Sequence, residues 1–590
     1  MNSADLLAAS PLFRELDPSA LHELSLETNS VRLGGGETLM REGDAGDALY
    51  VVVSGRLSVV IGTTPHDERS IAEIGRGETV GEMALLTGAP RSATVRALRD
   101  SVLLRLSKAS FDALIERHPK ATMALARLIV KRLEQSIHER SAPPTAPATF
   151  AVAPAGLDSP LASVARMIAG QLAKHGNVLH LSSERLRAHG DIPGDENELA
   201  AWLDAQERNH RFVVYECDDA ATSWTHRCLR QADRIVLAAR AATHTGPSAV
   251  EERFLNDSAR HATIELVLVH DTTTRAPSRA AKWLTGRRVN AHHHVRDGVA
   301  ADAERLGRRL AGRAIGLVLG GGGARGFAHL GVLRALEECG VPVDVIGGNS
   351  MGAIVGGLFA CGFSHDERME HCRAGFAHSA PDADYTLPLV ALHSGAKGNR
   401  LLRGMYGDAR IEDLWREFFC VSTNLSKAEL RVARDGPMWR WVRASCSAPG
   451  MAPPVVEDGH LLVDGGILDN LPVRALRMTT GVGVTIASDA GAAIDISSSI
   501  RSLDSVSGWG VLWSRMRGAN ELPNLADILM RTATLSSVSK EVEASRDADL
   551  YLKPPSDGVR TTEWSGLDRA VDAGYRYALD RVERWSETRS

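Results

Sequence analysis

Ser350 sits in Gly348-Asn349-Ser350-Met351-Gly352, with a glycine two residues to either side. The apolar run Val343–Ile346 precedes it, and a stretch rich in small residues follows: Gly352, Ala353, Gly356, Gly357 and Ala360. A strand turning sharply into a helix exposes such a serine hydroxyl at the apex, and the flanking glycines relieve the crowding there. Upstream, the apolar run Ala314–Leu319 opens into Gly320-Gly321-Gly322-Gly323-Ala324-Arg325-Gly326, after which Phe327, Leu330, Leu333 and Leu336 mark a helix. Glycines at a strand-to-helix turn leave backbone N–H groups unshielded where the helix dipole favours negative charge. The same GxGxxG spacing serves a dinucleotide-binding turn. That alternative calls for an acidic residue ending the second strand, where the serine turn stands instead.

A third piece is Leu461-Leu462-Val463-Asp464-Gly465-Gly466. Taken alone it is an Asp-Gly turn after a short strand. A triad running serine, acid, histidine is excluded, because no histidine follows His460. A serine activated directly by an aspartate fits what remains. An aspartate with a pKa near 4 is a weak base for a hydroxyl, so burial must raise that value or keep water from competing. Oxyanion donors must then carry much of the acceleration, at about 3–4 kcal/mol each. His329, on the helix after the Gly-rich turn, reads as a packing or capping residue.

Three domains are needed to carry these pieces and the rest of the 590 residues, at roughly 100–200 residues per domain. Residues 1–140 alternate short strands (Glu37–Met40, Ala48–Val53, Gly55–Val60, Ser101–Leu106) with glycine turns, the pattern of a barrel or jelly roll. Apolar residues at helical spacing then predict a long helix over Phe111–Ser136. Ser141–Thr149 is a Pro/Ala linker. In 150–313, strand runs at Phe150–Ala153, Val178–Leu181, Arg211–Glu216, Arg234–Ala238 and Ile264–His270 alternate with helical stretches, which predicts a parallel α/β sheet. Its first strand leads into Ala153-Pro154-Ala155-Gly156-Leu157-Asp158-Ser159-Pro160, without the GKS or GKT of a P-loop, so this is a degenerate nucleotide-binding fold that does not hydrolyse phosphate. Asp218-Asp219 reads as solvated loop acids, and His292-His293-His294 alternates faces and cannot ligate one metal together. The third domain spans 314–590, with its motifs within 314–480.

Composition narrows the classes further. The chain is 44% hydrophobic and 24% charged with net charge −5, ordinary globular usage with no polybasic run for nucleic acid. Seven cysteines lie between Cys217 and Cys446 without a CxxC pair, against a disulfide framework or a zinc site. Apolar stretches such as Ala353–Phe363 fall short of the ~20 residues of a membrane span, and the first residues lack a signal peptide's pattern. A cytoplasmic protein is expected, at most peripheral on a membrane.

In their order, GGGGARG, GNSMG and DGG resemble the signature of patatin-like phospholipases, and Ala444–Pro454 is similar to the Ala/Ser/Pro stretch preceding the aspartate in that family. The resemblance implies Ser350 as nucleophile, Asp464 as base, and an oxyanion hole from the amides of Gly321, Gly322 and Gly323. Arg325 and Gly326 would support that loop, and Gly348 and Gly352 the elbow. It also implies a doubly wound α/β layer sandwich related to cytosolic phospholipase catalytic domains, acting on a lipid substrate at a membrane or micelle surface. No cofactor is required, and calcium is not needed, since no acidic loop with metal-ligand spacing accompanies the serine.

Val80–Thr94 resembles the phosphate-binding cassette of cyclic nucleotide-binding domains. By that resemblance Gly81 and Glu82 face the ribose, Glu82 accepting from its 2′-hydroxyl, and Arg91 pairs with the cyclic phosphate. Ser92 stands where cyclic-AMP domains usually carry alanine and cyclic-GMP domains often a hydroxyl, so either nucleotide is a candidate regulator. The turns Glu42–Asp47 and Ser54–Leu57 are similar to that family too. The layout as a whole resembles a bacterial relative of neuropathy target esterase, and Ser223–Asp233 is similar to that family's sequence between the two domains. The resemblance covers 1–490. Eukaryotic members carry an N-terminal membrane anchor and several nucleotide-type domains, whereas this chain shows one such domain and no anchor. A protein keeping this layout as a catalytically silent scaffold or sensor is the alternative reading.

Overall fold

A computed structural model describes residues 16–61, 69–117, 149–188, 196–243, 245–255, 263–377, 384–491, 539–555 and 558–589, with a few short pieces between them. The chain forms two compact units: Met1–Thr274 with Lys282–Gly312, and Arg275–Ala281 with Arg313–Ser590.

The first unit opens with two four-stranded antiparallel sheets. One runs in the order Asn29–Leu33, Ser101–Ser107, Ala48–Ser54, Thr79–Val80, and the other Thr38–Met40, Thr94–Ala97, Leu57–Ile61, Arg69–Ile74. Period-2 alternation explains the packing. Ala48, Tyr50 and Val52 point between the sheets with Leu57, Val95 and Leu103, while Leu49 and Val51 turn to the other face with Leu21, Leu24 and Phe111. This is the expected jelly roll. Of the helix expected over Phe111–Ser136, Lys108–Arg117 is described; its remainder and residues 141–148 of the linker lie outside the described residues.

The same unit continues as a six-stranded, wholly parallel sheet in the order Val178–Ser182, Phe212–Glu216, Thr149–Pro154, Arg234–Arg240, Thr263–His270, Ala291–Arg296. The last strand was hidden in sequence by its three histidines. In the fold, His293 pairs with Glu265 at 2.7 Å and His294 with His270 at 2.8 Å, so alternate faces take them to different partners. Asp218 is less solvated than its sequence context suggests, accepting from the hydroxyls of Ser183 and Thr222 at 2.6 and 2.5 Å. The loop after Thr149–Pro154 is filled from within: Glu251 accepts from the amides of Gly156 and Ser248 at 3.1 and 2.6 Å, and Arg287 closes on its other oxygen at 2.6 Å. A carboxylate therefore occupies the amide cradle where a P-loop fold would hold phosphate.

Ion pairs join these two folds. Arg99, at the turn between two jelly-roll strands, reaches Glu207 at 2.8 Å and Asp233 at 3.0 Å. Arg56 approaches Asp233 at 3.5 Å, and Arg230 pairs with Asp100 at 2.8 Å. The buried guanidinium of Arg99 is pinned in its charged form by these carboxylates, burial opposing them.

In the second unit, one mixed sheet runs Val455–Glu457, His460–Asp464, Glu417–Asn424, Val345–Gly348, Ile315–Leu319, Val484–Ser488, Leu550–Leu552, with Glu429–Ala433 also on Glu417–Asn424. Glu417–Asn424, Val345–Gly348, Ile315–Leu319, Val484–Ser488 and Leu550–Leu552 are mutually parallel, and the pairs at the His460–Asp464 edge are antiparallel. The Gly-rich turn and Ser350 thus leave the carboxyl ends of adjacent parallel strands, where α/β sheets open a crevice. The tail beyond 490 is part of this core. Leu550–Leu552 extends the sheet, and helix Leu567–Glu587 packs Ala570, Val571, Ala578 and Val582 against the helix after the Gly-rich turn.

Candidate active site

Ser350 has φ 51° and ψ −121°, a conformation that a side-chain-bearing residue adopts only under constraint. Close packing supplies the constraint. A Cβ on Gly348 would lie 2.5 Å from the Gly352 carbonyl carbon, and one on Gly352 would lie 2.1 Å from the Leu319 oxygen. Helix Met351–Ala360, buried along its whole length, is drawn onto the sheet by its small residues. The Ser350 amide donates to the Ser445 hydroxyl at 2.9 Å.

Asp464 ends its strand with its carboxyl buried and accepts from the Gly466 amide at 2.8 Å and the Asn349 side chain at 3.0 Å, with the Ser350 side chain close enough to influence its ionisation. Burial lifts the Asp464 pKa above the ordinary carboxylate value. The Gly466 and Asn349 donors and the neighbouring Ser350 pull the other way without cancelling the rise. A base at the serine with raised basicity is what direct activation requires. Cys446 is buried near this pair, and burial pushes its thiol up to about 12, so it stays protonated.

The Gly-rich turn lies against this pair. A Cβ on Gly321 would come within 3.1 Å of the Ser350 Cβ, and one on Gly326 within 2.5 Å of Met351 Cγ. The Gly321 amide donates to Asn470 Oδ1 at 3.1 Å, so it is aimed at the scaffold and not at the serine. Gly323 has φ 57° with Thr561 against it, and the Ala324 amide donates to the Thr561 carbonyl at 2.8 Å. Arg325 supports the loop by donating to the Val559 carbonyl at 3.0 Å. His329 is wholly buried between Ser488 and the Gly320 carbonyl, at 3.0 and 2.9 Å. Burial pushes its imidazole down to about 4, which fits a structural role.

Sequence reasoning missed three residues here. Asn349 lay inside the serine pentapeptide without a role. Its Nδ2 donates to Asp464 and to Asn470 Oδ1 (3.2 Å), while its Oδ1 accepts from Ser445 at 3.2 Å, which fixes the amide's orientation. Ser445 lay in the quoted Ala/Ser/Pro stretch. Asn470 had no local signal; its amide ties Gly321, Asn349 and Glu541 together. Removing the Asn349 donor strips one stabiliser of the Asp464 carboxylate, so its pKa rises further. The acid limb of the kcat/KM–pH profile of Asn349→Leu is therefore expected at higher pH than the parent's. An unmoved limb would show that the hydrogen bond does not tune the base.

A second candidate site lies in the jelly roll. Gly81, at φ 90°, caps the short helix Glu82–Thr87, and its missing side chain makes room for Arg91, whose Nη1 would stand 2.7 Å from a Cβ there. Arg91 is buried and donates to the carbonyls of Gly81 and Ala48 at 2.8 and 2.7 Å, beside Asp47 at 3.3 Å. Glu82 is buried as well, while Ser92 is exposed. The fold thus brings Gly81, Glu82 and Arg91 together and leaves Ser92 at the surface. Among the described residues, no group of three or more His, Cys, Asp or Glu side chains could hold a metal ion.

Three family models match in sequence order: a cyclic nucleotide-binding domain over 30–118, a neuropathy target esterase family P-loop like domain over 147–314, and patatin-like phospholipase over 317–477. This chain carries a patatin-like phospholipase domain behind the neuropathy target esterase family's P-loop like domain and a cyclic nucleotide-binding domain. The mouse patatin-like phospholipase domain-containing protein 7 is 34% identical over 96% of this chain and 46% of its own length. The human patatin-like phospholipase domain-containing protein 6 is 33% identical over 99% and 46%. Lysophospholipase nte1 of Aspergillus fumigatus is 30% identical over 98% and 43%. The chain therefore spans less than half the length of these curated relatives. The middle domain of this patatin-like chain matches the esterase family's own P-loop like module. That agrees with the parallel sheet and with the carboxylate in its phosphate cradle. No described helix is long and apolar enough to cross a membrane.

Proposed function

We propose that the chain is a serine esterase that hydrolyses carboxylic ester bonds of lysophospholipids and phospholipids through Ser350 and Asp464. The observation that carries this reading is a buried carboxylate of raised basicity beside a serine on a strained strand-to-helix turn. The Ser350 oxygen attacks the ester carbonyl as its proton passes to Asp464. The amides of Gly322 and Gly323, beside the committed Gly321 amide, stabilise the oxyanion. Collapse of the tetrahedral intermediate transfers the proton to the departing glycerol oxygen and leaves an acyl-serine. Water, deprotonated by Asp464, then releases the fatty acid and restores the serine. This chemistry needs no resident cofactor. The names of the relatives support the substrate class, lysophospholipase among them. Purified full chain, assayed for fatty-acid release across lysophospholipids and diacyl phospholipids, is expected to turn over members of this panel. Folded protein that releases no fatty acid from any of them favours the scaffold reading.

The first domain is proposed to bind a cyclic nucleotide, cyclic AMP or cyclic GMP, with Arg91 on the phosphate and Glu82 on the ribose hydroxyl. The convergence of Gly81, Glu82 and Arg91 and the family match over 30–118 support this. Losing a charge-assisted phosphate contact costs about 2–5 kcal/mol, so Arg91→Ala is expected to weaken binding more than tenfold. Titration calorimetry with both nucleotides, beside a melting curve for the variant, reads this. No heat from either nucleotide makes the domain a structural or partner-docking module. Control of turnover requires further that the ligand prefer one domain arrangement, so assays at saturating nucleotide decide regulation separately from binding.

A further inference from the structure

Tyr385-Thr386-Leu387-Pro388-Leu389-Val390 presents four large apolar side chains to solvent, with Tyr385 78%, Leu387 73%, Leu389 83% and Val390 71% exposed. The segment is firmly based. Tyr385 pairs with His393, Thr386 donates to the Leu392 carbonyl at 3.0 Å, and Asp384 accepts from Ser394 at 2.6 Å and from the Lys397 amide at 3.1 Å. The return strand is bonded in turn to the chain beside the nucleophile. Leu392 donates to the Gly450 carbonyl at 2.9 Å and His393 to the Met451 carbonyl at 3.0 Å. That stretch continues directly from Ser445, whose hydroxyl accepts from the Ser350 amide.

We infer that this hairpin is the element by which the enzyme docks on a lipid surface bearing anionic headgroups, an inference that rests on the lipid-esterase reading above. Aliphatic side chains exposed together at a hairpin tip stay in water at a cost that an acyl layer removes, and a tyrosine at the base suits the headgroup boundary. Charge agrees with this occupant. The helix that follows, Ala396–Tyr406, carries Lys397, Arg400 and Arg403 and no acidic residue, and cations beside an apolar tip complement anionic headgroups. Because the hairpin base is hydrogen-bonded to the segment beside Ser350, docking brings the crevice to the layer that holds the substrate.

The test uses the full chain with vesicles of phosphatidylcholine containing one part in five phosphatidylglycerol. Vesicle flotation of the triple variant Leu387→Ser, Leu389→Ser, Val390→Ser is expected to show at least tenfold weaker binding than the parent. Its rate on a short-chain, water-soluble ester and its melting temperature should stay unchanged. In a second variant, Leu389→Trp, vesicles with brominated acyl chains should quench indole emission beyond the quenching seen in the parent. Parent-like vesicle binding by the triple variant overturns the inference, as does a new indole that brominated chains leave unquenched. So does a triple variant that loses only a self-association present in the parent, since that makes the hairpin an interface between copies. If no ester is turned over at all, the esterase reading fails while flotation and quenching still report on docking.

Discussion

Ser350→Ala and Asp464→Asn are each expected to reduce turnover by at least a thousandfold, with the double variant scarcely worse than either single one. The non-additivity follows from the geometry. Every proton Asp464 moves belongs to the formation or hydrolysis of the acyl-Ser350, so without Ser350 the carboxylate has no intermediate to serve, and without Asp464 the serine has no base. Asparagine keeps the shape of the side chain and can still meet the Gly466 amide, so Asp464→Asn should fold and melt near the parent. It lacks the basicity that burial confers on the carboxylate. Steady-state kinetics of the three variants, with circular dichroism to confirm folding, read the result. A folded Asp464→Asn with near-parental kcat removes the dyad from the account.

The largest expected effect on stability lies far from both motifs, where two helices cross at paired glycines. A Cβ on Gly574 would stand 2.2 Å from the Ala328 carbonyl oxygen, and one on Gly331 would stand 2.1 Å from the Val571 oxygen. No rotamer change relieves a clash with backbone, so Gly574→Val must push helix Leu567–Glu587 off helix Ala328–Glu338. Overpacking of this kind costs about 1–3 kcal/mol or more, a drop of several degrees in melting temperature. Activity should fall with it, because the Gly-rich turn leads straight into Ala328–Glu338, and Ala324 and Arg325 are bonded to Thr561 and Val559 of the same C-terminal segment. Gly404→Ala is the control: a Cβ there meets nothing within 4 Å, so the helix gains propensity without a clash. Equal melting temperatures for Gly574→Val and parent would mean that the tail does not brace the Gly-rich turn.

What could be read in the sequence follows from which physical demands are local. The elbow declared itself because a strained serine needs small neighbours at fixed spacing, and Gly348 and Gly352 answer to backbone atoms 2.1–2.5 Å from where a Cβ would stand. The Gly-rich turn was legible for similar reasons, while Asp464, Gly81 and Arg91 were picked out by the resemblance of their motifs to known families. Residues that act across the fold left no such trace. Asn470 touches Gly321 and Asn349 through contacts 149 and 121 positions apart in the chain, and no spacing rule connects them. Glu251 fills the amide cradle of the middle domain from 95 positions away, so the missing lysine was visible and the carboxylate standing in the phosphate's place was not. The jelly roll and the middle domain's parallel sheet were predictable from strand runs and turns, and the third domain's α/β layers from the resemblance its motifs carry. Ala291–Arg296 escaped because three polar rings masked a strand buried at its far end, and the tail beyond 490 because its role is to pack against a glycine in another helix.

Esterase action at Ser350 is tested most directly by a fluorophosphonate, which reacts with a serine whose hydroxyl is activated. Full-length protein is treated with the reagent, residual turnover is followed on a lysophospholipid, and the modified peptide is found by mass spectrometry. The account predicts a phosphonyl group on Ser350, activity falling in step with its modification, and no labelling of Ser350 in Asp464→Asn. Turnover that survives complete modification of Ser350, or a label that settles on another residue as activity disappears, contradicts it.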